Sequence, residues 1–324
     1  MAVRYEQVFQ SSTAGQMPST AANTVTYGFN AQSGPIEYLI MRNNLTFGDT
    51  PTTGSFWQLV NSMRVIVDGE VRFDFRAGIV ANDATSPDPL SVLINQIGGR
   101  CYENPAGVAT REAYCAIPLG MGTTGKNTNT RFEVVIDWIA SAAAYASGNL
   151  EWWIQYNDNF ATGCVVASPT SYVHSANTIE TVVVKIPTNI PGAVVAGIYI
   201  QNDSLADEFG TQGVRCIQLG SYGLSADFVR MLNGNLANGI MYAGDTVTDQ
   251  QEFADGLPGA LFLPTFGLTN AGEVSLVVSS TASTTRTYTP VLTLPSASTQ
   301  KQTITQSTVA QGNTAKAIVG LTLD

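Results

Sequence analysis

The residues with the clearest claim to chemistry lie in GMGTTGKN, residues 120–127. Gly120, Gly122 and Gly125 satisfy the GxGxxG spacing, and Gly120 to Lys126 satisfy most of GxxxxGK[ST]. Such a loop holds phosphates when its backbone amides open directly into a helix, whose N-terminal dipole faces the anion. Here Lys126 is followed by NTNTRFEVVIDW, a turn and then a strand pattern, and Asn127 replaces the hydroxyl residue that would meet Mg²⁺. The sequence therefore predicts a Gly/Thr loop between two strands, with nucleotide chemistry through Lys126 as the enzymatic rival.

His174 is the only histidine, which removes most catalytic triads and nearly all histidine-based metal sites. It reads as a loop or strand residue with a satisfied ring nitrogen. Acidic groups gather at Asp203, Asp207 and Glu208 and at Asp245, Asp249, Glu252 and Asp255, but their spacing fits no EF-hand loop. They read as solvated loops. Cys101, Cys115, Cys164 and Cys216 have no CxxC spacing and read as free, mostly buried thiols, with a Cys101–Cys115 bridge as the alternative. No pair of carboxylates stands out for acid–base work. The expectation is a chain with no catalytic residue, no cofactor and no metal, hence not an enzyme.

Composition points the same way. Of 324 residues only 12% are charged, against roughly 25% in ordinary soluble domains. A surface so poor in ions must be covered by neutral polar groups or by other subunits. The net charge is -10, and no Lys/Arg cluster interrupts it, which argues against direct, sequence-specific nucleic-acid binding. A shell enclosing nucleic acid remains compatible with it. The opening MAVRYEQVFQ lacks the charged and apolar regions of a signal peptide, and no apolar run approaches a membrane span; synthesis in a cytoplasm is the expectation.

The elements that would position any site read as strands. In FEVVIDWI, Phe132, Val134, Ile136 and Trp138 alternate with polar residues, and in LEWWIQY Leu150, Trp152, Ile154 and Tyr156 do the same. The two runs read as the arms of a hairpin whose inward residues fill a sandwich core. Trp153 points the other way, toward a sister domain, a neighbouring subunit or, on the sharper alternative, a sugar. Asp68-Gly69 predicts a type I′ turn. DPLSVLINQIGG predicts a helix capped by Asp88, with Leu90, Leu93, Ile94 and Ile97 on one stripe and Gly98 at its end; SADFVRMLNG, capped by Ser225, is a second.

The body is written twice. MRVIVDGEVRFDF has a counterpart in VRCIQLGSYGLSADF, with Arg64 facing Arg215 at an offset of 215 - 64 = 151. YCAIPLG resembles LFLPTFG, with Pro118 facing Pro264 at 264 - 118 = 146. FEVVIDWI and its return recur as EVSLVVSSTASTTRTYTPVLTL, with Glu133 facing Glu273 at 273 - 133 = 140. The second version, rich in Thr and carrying Pro290, is a poor helix, so both versions are β. The division expected is an N-terminal arm over 1–24, one β domain over 25–170, a second over 171–295 and a C-terminal arm over 296–324. Both arms are too polar to build a core.

On these paired segments, which span most of residues 25–295, the chain resembles the double jelly-roll major capsid proteins of tailless, membrane-containing icosahedral viruses. Its length, acidity and polar arms are similar to those of coat proteins from bacterial lipid-containing phages. The resemblance implies an all-β chain of two tandem eight-stranded jelly rolls with a few short helices in loops. It also implies homotrimers that fill pseudo-hexagonal positions, tile an icosahedral shell around a lipid vesicle and genome, and meet minor capsid and vertex proteins. The terminal arms would lie under neighbouring trimers or against the internal membrane. The alternative from another class is a carbohydrate-binding β-sandwich, a lectin or a phage receptor-binding protein.

Overall fold

Period-two alternation carries this chain through strand after strand, and the one α-helix among the described residues is short. The computed structural model describes residues 3–32, 34–48, 56–77, 89–103, 109–121, 129–141, 143–157, 163–190, 192–202, 214–219, 222–225, 260–269, 272–280 and 283–294.

The first half contains β1 (Arg4–Ser11), β2 (Asn23–Gln32), β3 (Ile36–Phe47), β4 (Val60–Val67), β5 (Glu70–Arg76), the helix α1 (Pro89–Gln96), β6 (Arg100–Glu103), β7 (Thr110–Met121), β8 (Asn129–Trp138) and β9 (Tyr145–Tyr156). One sheet has the order β1-β9-β3-β7-β6, and facing it are β5-β4-β8-β2. The predicted inward rows are all in the core: Phe132, Val134, Ile136 and Trp138 on β8, and Leu150, Trp152, Ile154 and Tyr156 on β9. Rings bridge the two sheets, with Phe29 stacked between Phe132, at 5.4 Å, and Trp152, at 6.0 Å. Aromatic pairs of this kind add about 0.5–1.5 kcal/mol beyond their buried area.

Two local expectations hold in detail. Asp68 and Gly69 both take positive φ, 51° and 85°, as a type I′ turn demands. Leu90, Leu93 and Ile94 are fully buried on α1, and Gly98 at φ 88° ends it. Asp88 and the second predicted helix lie outside the described residues.

Two expectations need correction. FEVVIDWI and LEWWIQY are not the arms of one hairpin, because β8 pairs with β2 and β4 while β9 pairs with β1 and β3 in the opposite sheet. Both rows meet the same core from facing sheets, so alternation gives the right faces but not the right neighbours. Nor is 1–24 an arm outside the fold. Arg4–Ser11 pairs along β9, and Phe9 packs 5.7 Å from Tyr27, edge to face, at the core's margin. A deletion of the first twenty residues would therefore strip a strand from the sheet.

The second half repeats the plan with β10 (Gly163–Val166), β11 (Thr170–His174), β12 (Ile179–Lys185), β13 (Val194–Asn202), β14 (Val214–Leu219), β15 (Tyr222–Ser225), β16 (Ala260–Thr269), β17 (Glu273–Ser280) and β18 (Thr284–Leu294). Strands β16-β13-β18 with β10 and β11 reproduce β7-β3-β9-β1, and β15-β14-β17-β12 reproduce β5-β4-β8-β2. A separate apolar cluster around Val182, Ile198, Leu276 and Leu292 forms its core. The sequence alignment of Pro118 with Pro264 is met residue for residue: Tyr38 faces Pro118 just after a bulge in β3, and Gly197 faces Pro264 just after a bulge in β13.

Strand β10 joins the halves. It pairs antiparallel with β18 and, through Val166 opposite Phe73, parallel with β5, so a nine-stranded sheet runs from one module into the other. Strand β10 lies just before the boundary expected at 170/171 and pairs with strands on both sides of it. Asp74, buried, accepts hydrogen bonds from Arg64 Nε at 3.2 Å and from Ser168 Oγ at 2.8 Å, which ties the same junction from the polar side.

Candidate functional site

The glycine-rich loop is placed by β7 and β8. Gly120 is the penultimate residue of β7, and the described chain resumes as strand at Asn129. Gly122, Gly125 and Lys126 themselves lie outside the described residues, as do the two acidic loops. What Gly120 does is visible: with φ 52° its backbone comes close enough to β10 that a Cβ on Gly163 would lie 2.4 Å from its Cα. Its freedom serves the junction between modules.

His174 ends β11 with both ring nitrogens engaged. Nδ1 lies 2.7 Å from the Glu180 carboxylate and Nε2 lies 2.8 Å from the Tyr288 hydroxyl. A carboxylate only accepts, so Nδ1–H donates to Glu180 and Nε2 accepts from the tyrosine. Carboxylate, imidazole and hydroxyl in line is the arrangement that activates a nucleophile. Here the hydroxyl is a phenol, fully buried, whose pKa burial drives upward, and Arg286 lies buried beside it. The chain ties β11, β12 and β18 together and presents no reacting atom to solvent.

Burial also lowers the His174 pKa from its ordinary 6.5; hydrogen bonding to Glu180 opposes this and the Arg286 charge reinforces it. The neutral ring is thus preferred in the fold, while the unfolded chain takes up a proton near pH 6.5. Stability from this group is present above that pH and is lost as pH falls through the folded-state pKa. Denaturation midpoints measured between about pH 8 and 5 should fall for the wild type and fall less for His174→Gln. Equal losses would remove His174 as the cause.

The thiols are structural as well. Cys101 and Cys115 are direct partners across β6 and β7, and no disulfide joins them. Cys164 is buried, donates to the Pro118 carbonyl at 3.1 Å, and has its pKa pushed up to about 12 by burial, so it is no nucleophile. No group of three metal-ligating side chains occurs among the described residues.

Among the described residues the candidate is a surface, the outward face of the β1-β9-β3-β7-β6 sheet. Trp153 sits on it half-buried, opposite Gln7 on β1 and Ile40 on β3, its indole N–H donated to Glu151 at 2.8 Å. Beside Ile40 lies Ala116, and in the next row Arg42 faces both Glu151 and Tyr114. Arg42 pairs with Glu112 at 3.5 Å and Glu151 at 3.7 Å, so this cation finds its partners within the face. Tyr102 and Tyr114 stack at 5.2 Å, and Tyr5 is 57% exposed. Trp153 stood out in the sequence because adjacent tryptophans in a strand must point to opposite faces. Tyr5, Ile40, Tyr102 and Tyr114 did not, because a lone outward apolar residue is ordinary until its neighbours across the sheet are known.

No family model matches the chain, and no curated protein matches its sequence. Solved structures do match its fold. The crystal structure of the STIV major capsid protein superposes with a TM-score of 0.57 at 9% identity, covering 93% of this chain and 99% of that one. The atomic structure of Sulfolobus turreted icosahedral virus gives 0.57 at 9% identity over 90% of each chain. The major capsid protein P2 of bacteriophage PM2 gives 0.47 at 12% identity, covering 90% of this chain and 97% of that one. On the first two of these superpositions the chain has the double jelly-roll fold, two sandwiches in tandem whose sheets have four to five strands each.

Proposed function

We propose that this chain is a major capsid protein, which assembles as homotrimers of six similar modules and tiles an icosahedral shell. The observation that carries the reading is the pair of modules with one strand order, joined by a shared sheet, in a chain 93% of which is covered by superposition on a viral coat protein. The work is mechanical, and specificity resides in interfaces rather than in a reactive centre. Sparse charge suits that role, because ions buried between subunits cost desolvation energy unless paired, whereas Ser, Thr, Asn and Gln make contacts more cheaply.

On this reading the partners are further copies of the chain, minor capsid and vertex proteins, and an internal lipid surface met by residues 296–324. The chain acts in the virion shell. Its modules divide at the segment between β9 and β10.

Light scattering and negative-stain electron microscopy of the purified protein test the reading. Trimer mass and pseudo-hexagonal particles are expected; a monomer at every concentration would refute it. Binding on a glycan array by that monomer would favour the carbohydrate-binding alternative.

A further inference from the structure

The contact between modules inside one chain is a template for the contact between chains. Register fixes which positions correspond. Tyr38 faces Pro118 and Gln155, while Gly197 faces Pro264 and Val291. Two residues on, Ile40 faces Ala116 and Trp153, while Tyr199 faces Phe262 and Thr289. At the next strand Tyr5 faces Gln155, while Val166 faces Val291. Tyr5 thus stands for Val166, Ile40 for Tyr199, Ala116 for Phe262 and Gln155 for Val291.

In the second module this face is covered. Val166, Tyr199 and Val291 are 0%, 1% and 2% exposed and belong to the apolar cluster of the first module, with Phe262 packed against it. In the first module the same face is open: Tyr5 is 57%, Tyr102 46% and Tyr114 40% exposed. The strand edges correspond too. Strand β10 is covered because it pairs with β5. Its counterpart β1 and the counterpart of β5, which is β15, each stand at the end of their sheet among the described residues.

We infer that β1 of one copy pairs in parallel with β15 of a neighbouring copy, so that the neighbour's second module covers the Tyr5–Ile40–Trp153 face of the first. The contact repeats, between chains, the one made within each chain. It is head-to-tail and closes into a ring when the number of copies matches the rotation between modules. An edge strand left unpaired is a liability, and this pairing covers two strands that stand at sheet ends among the described residues. Arg42 is paired within the face, with Glu112 and Glu151, and the aromatic side chains are suited to burial. Phe73, opposite Val166, corresponds by pairing to Leu224, since Val65 faces Phe73 and Ile217 faces Leu224 in the two hairpins. Tyr5 of one copy accordingly comes opposite Leu224 of the next.

This inference rests on the capsid reading for the number of copies, and its test separates the two. In the full-length protein, Tyr5→Cys/Leu224→Cys is expected to give covalently linked oligomers on oxidation, seen on non-reducing gels, while neither single variant does. Ile40→Lys is expected to weaken the trimer roughly thirtyfold by native mass spectrometry, as loss of an interface hot spot does, with an unchanged circular dichroism spectrum. Val135→Lys, on the outer face of the other sheet, should leave the trimer intact. Trimers that persist in Ile40→Lys, or a cysteine pair that never links wild-type-like trimers, would overturn this contact and leave the capsid reading standing. Should Ile40→Lys fail to fold, the cysteine pair decides alone. A monomeric wild type would overturn both.

Discussion

Glu103→Ala is expected to lower stability by about 3–5 kcal/mol, the range for breaking a buried ion pair from one side. Glu103 on β6 accepts from Arg111 Nη1 at 2.8 Å, and its two oxygens accept from the Phe56 amide at 2.7 and 2.8 Å. Arg111 is 1% exposed. Removing the carboxylate leaves a guanidinium in the core without this counter-charge and takes away the acceptor that opens the 3₁₀ turn Phe56–Leu59. That turn is itself wholly buried, with Phe56 edge-on to both Trp57 and Trp138. Urea denaturation should show a lower midpoint at unchanged slope. The double variant Glu103→Leu/Arg111→Met should recover most of the loss, because replacing both charges by apolar groups removes the desolvation penalty as well as the attraction. A Glu103→Ala unfolding free energy within about 0.5 kcal/mol of wild type would mean the pair contributes nothing.

The fold was legible wherever a strand has one face in a core and the other in water. Strands β4, β8 and β9 announce themselves by alternation, and the two prolines align the modules because a residue that cannot donate to the ladder is placed where the ladder shifts. Strand β1 was hidden by its own irregularity: a bulge between Gln7 and Phe9 breaks the period, so Val8 and Phe9 read as noise in a polar arm. Strand β10 was hidden for the opposite reason. GCVV is buried throughout, Val165 facing the second core and Val166 the first, so it has no alternation to read. Sheet partners were beyond reach because β8 and β9 present the same pattern whether they pair or face each other.

The candidate surface was legible only at Trp153. Its other members acquire meaning from comparison within the molecule. Ile40 is an unremarkable half-buried residue until Tyr199, at the same place in the second module, is found sealed beneath the first. Two reactive-type groups among the described residues, His174 and Cys164, lie in buried hydrogen bonds that no sequence pattern announces.

Gly163→Ala is expected to cost about 3 kcal/mol, a large effect for one methyl, and to act on the relation between modules rather than on either alone. A Cβ there would lie 2.4 Å from Gly120 Cα, 2.4 Å from the Leu119 carbonyl oxygen and 2.8 Å from Gly120 N. All three are backbone atoms, so no side chain can turn aside. Either β7 bends or β10 withdraws, and withdrawal breaks the Cys164–Pro118 hydrogen bond and the Val166–Phe73 pairing that makes one sheet of two. Thermal unfolding, expected as one transition in the wild type, should then separate into two as each module melts on its own core. Gly28→Ala supplies the control: Gly28 lies on β2, a Cβ there meets nothing within 4 Å, and a change within about 0.5 kcal/mol is expected. A single transition with wild-type stability in Gly163→Ala would show that β10 is not what couples the modules. If the coupling is lost as expected, the fixed angle between modules is lost with it, and under the proposed capsid role particles should fail to form even though each jelly roll remains folded, since a ring closes only when every step turns by the same amount.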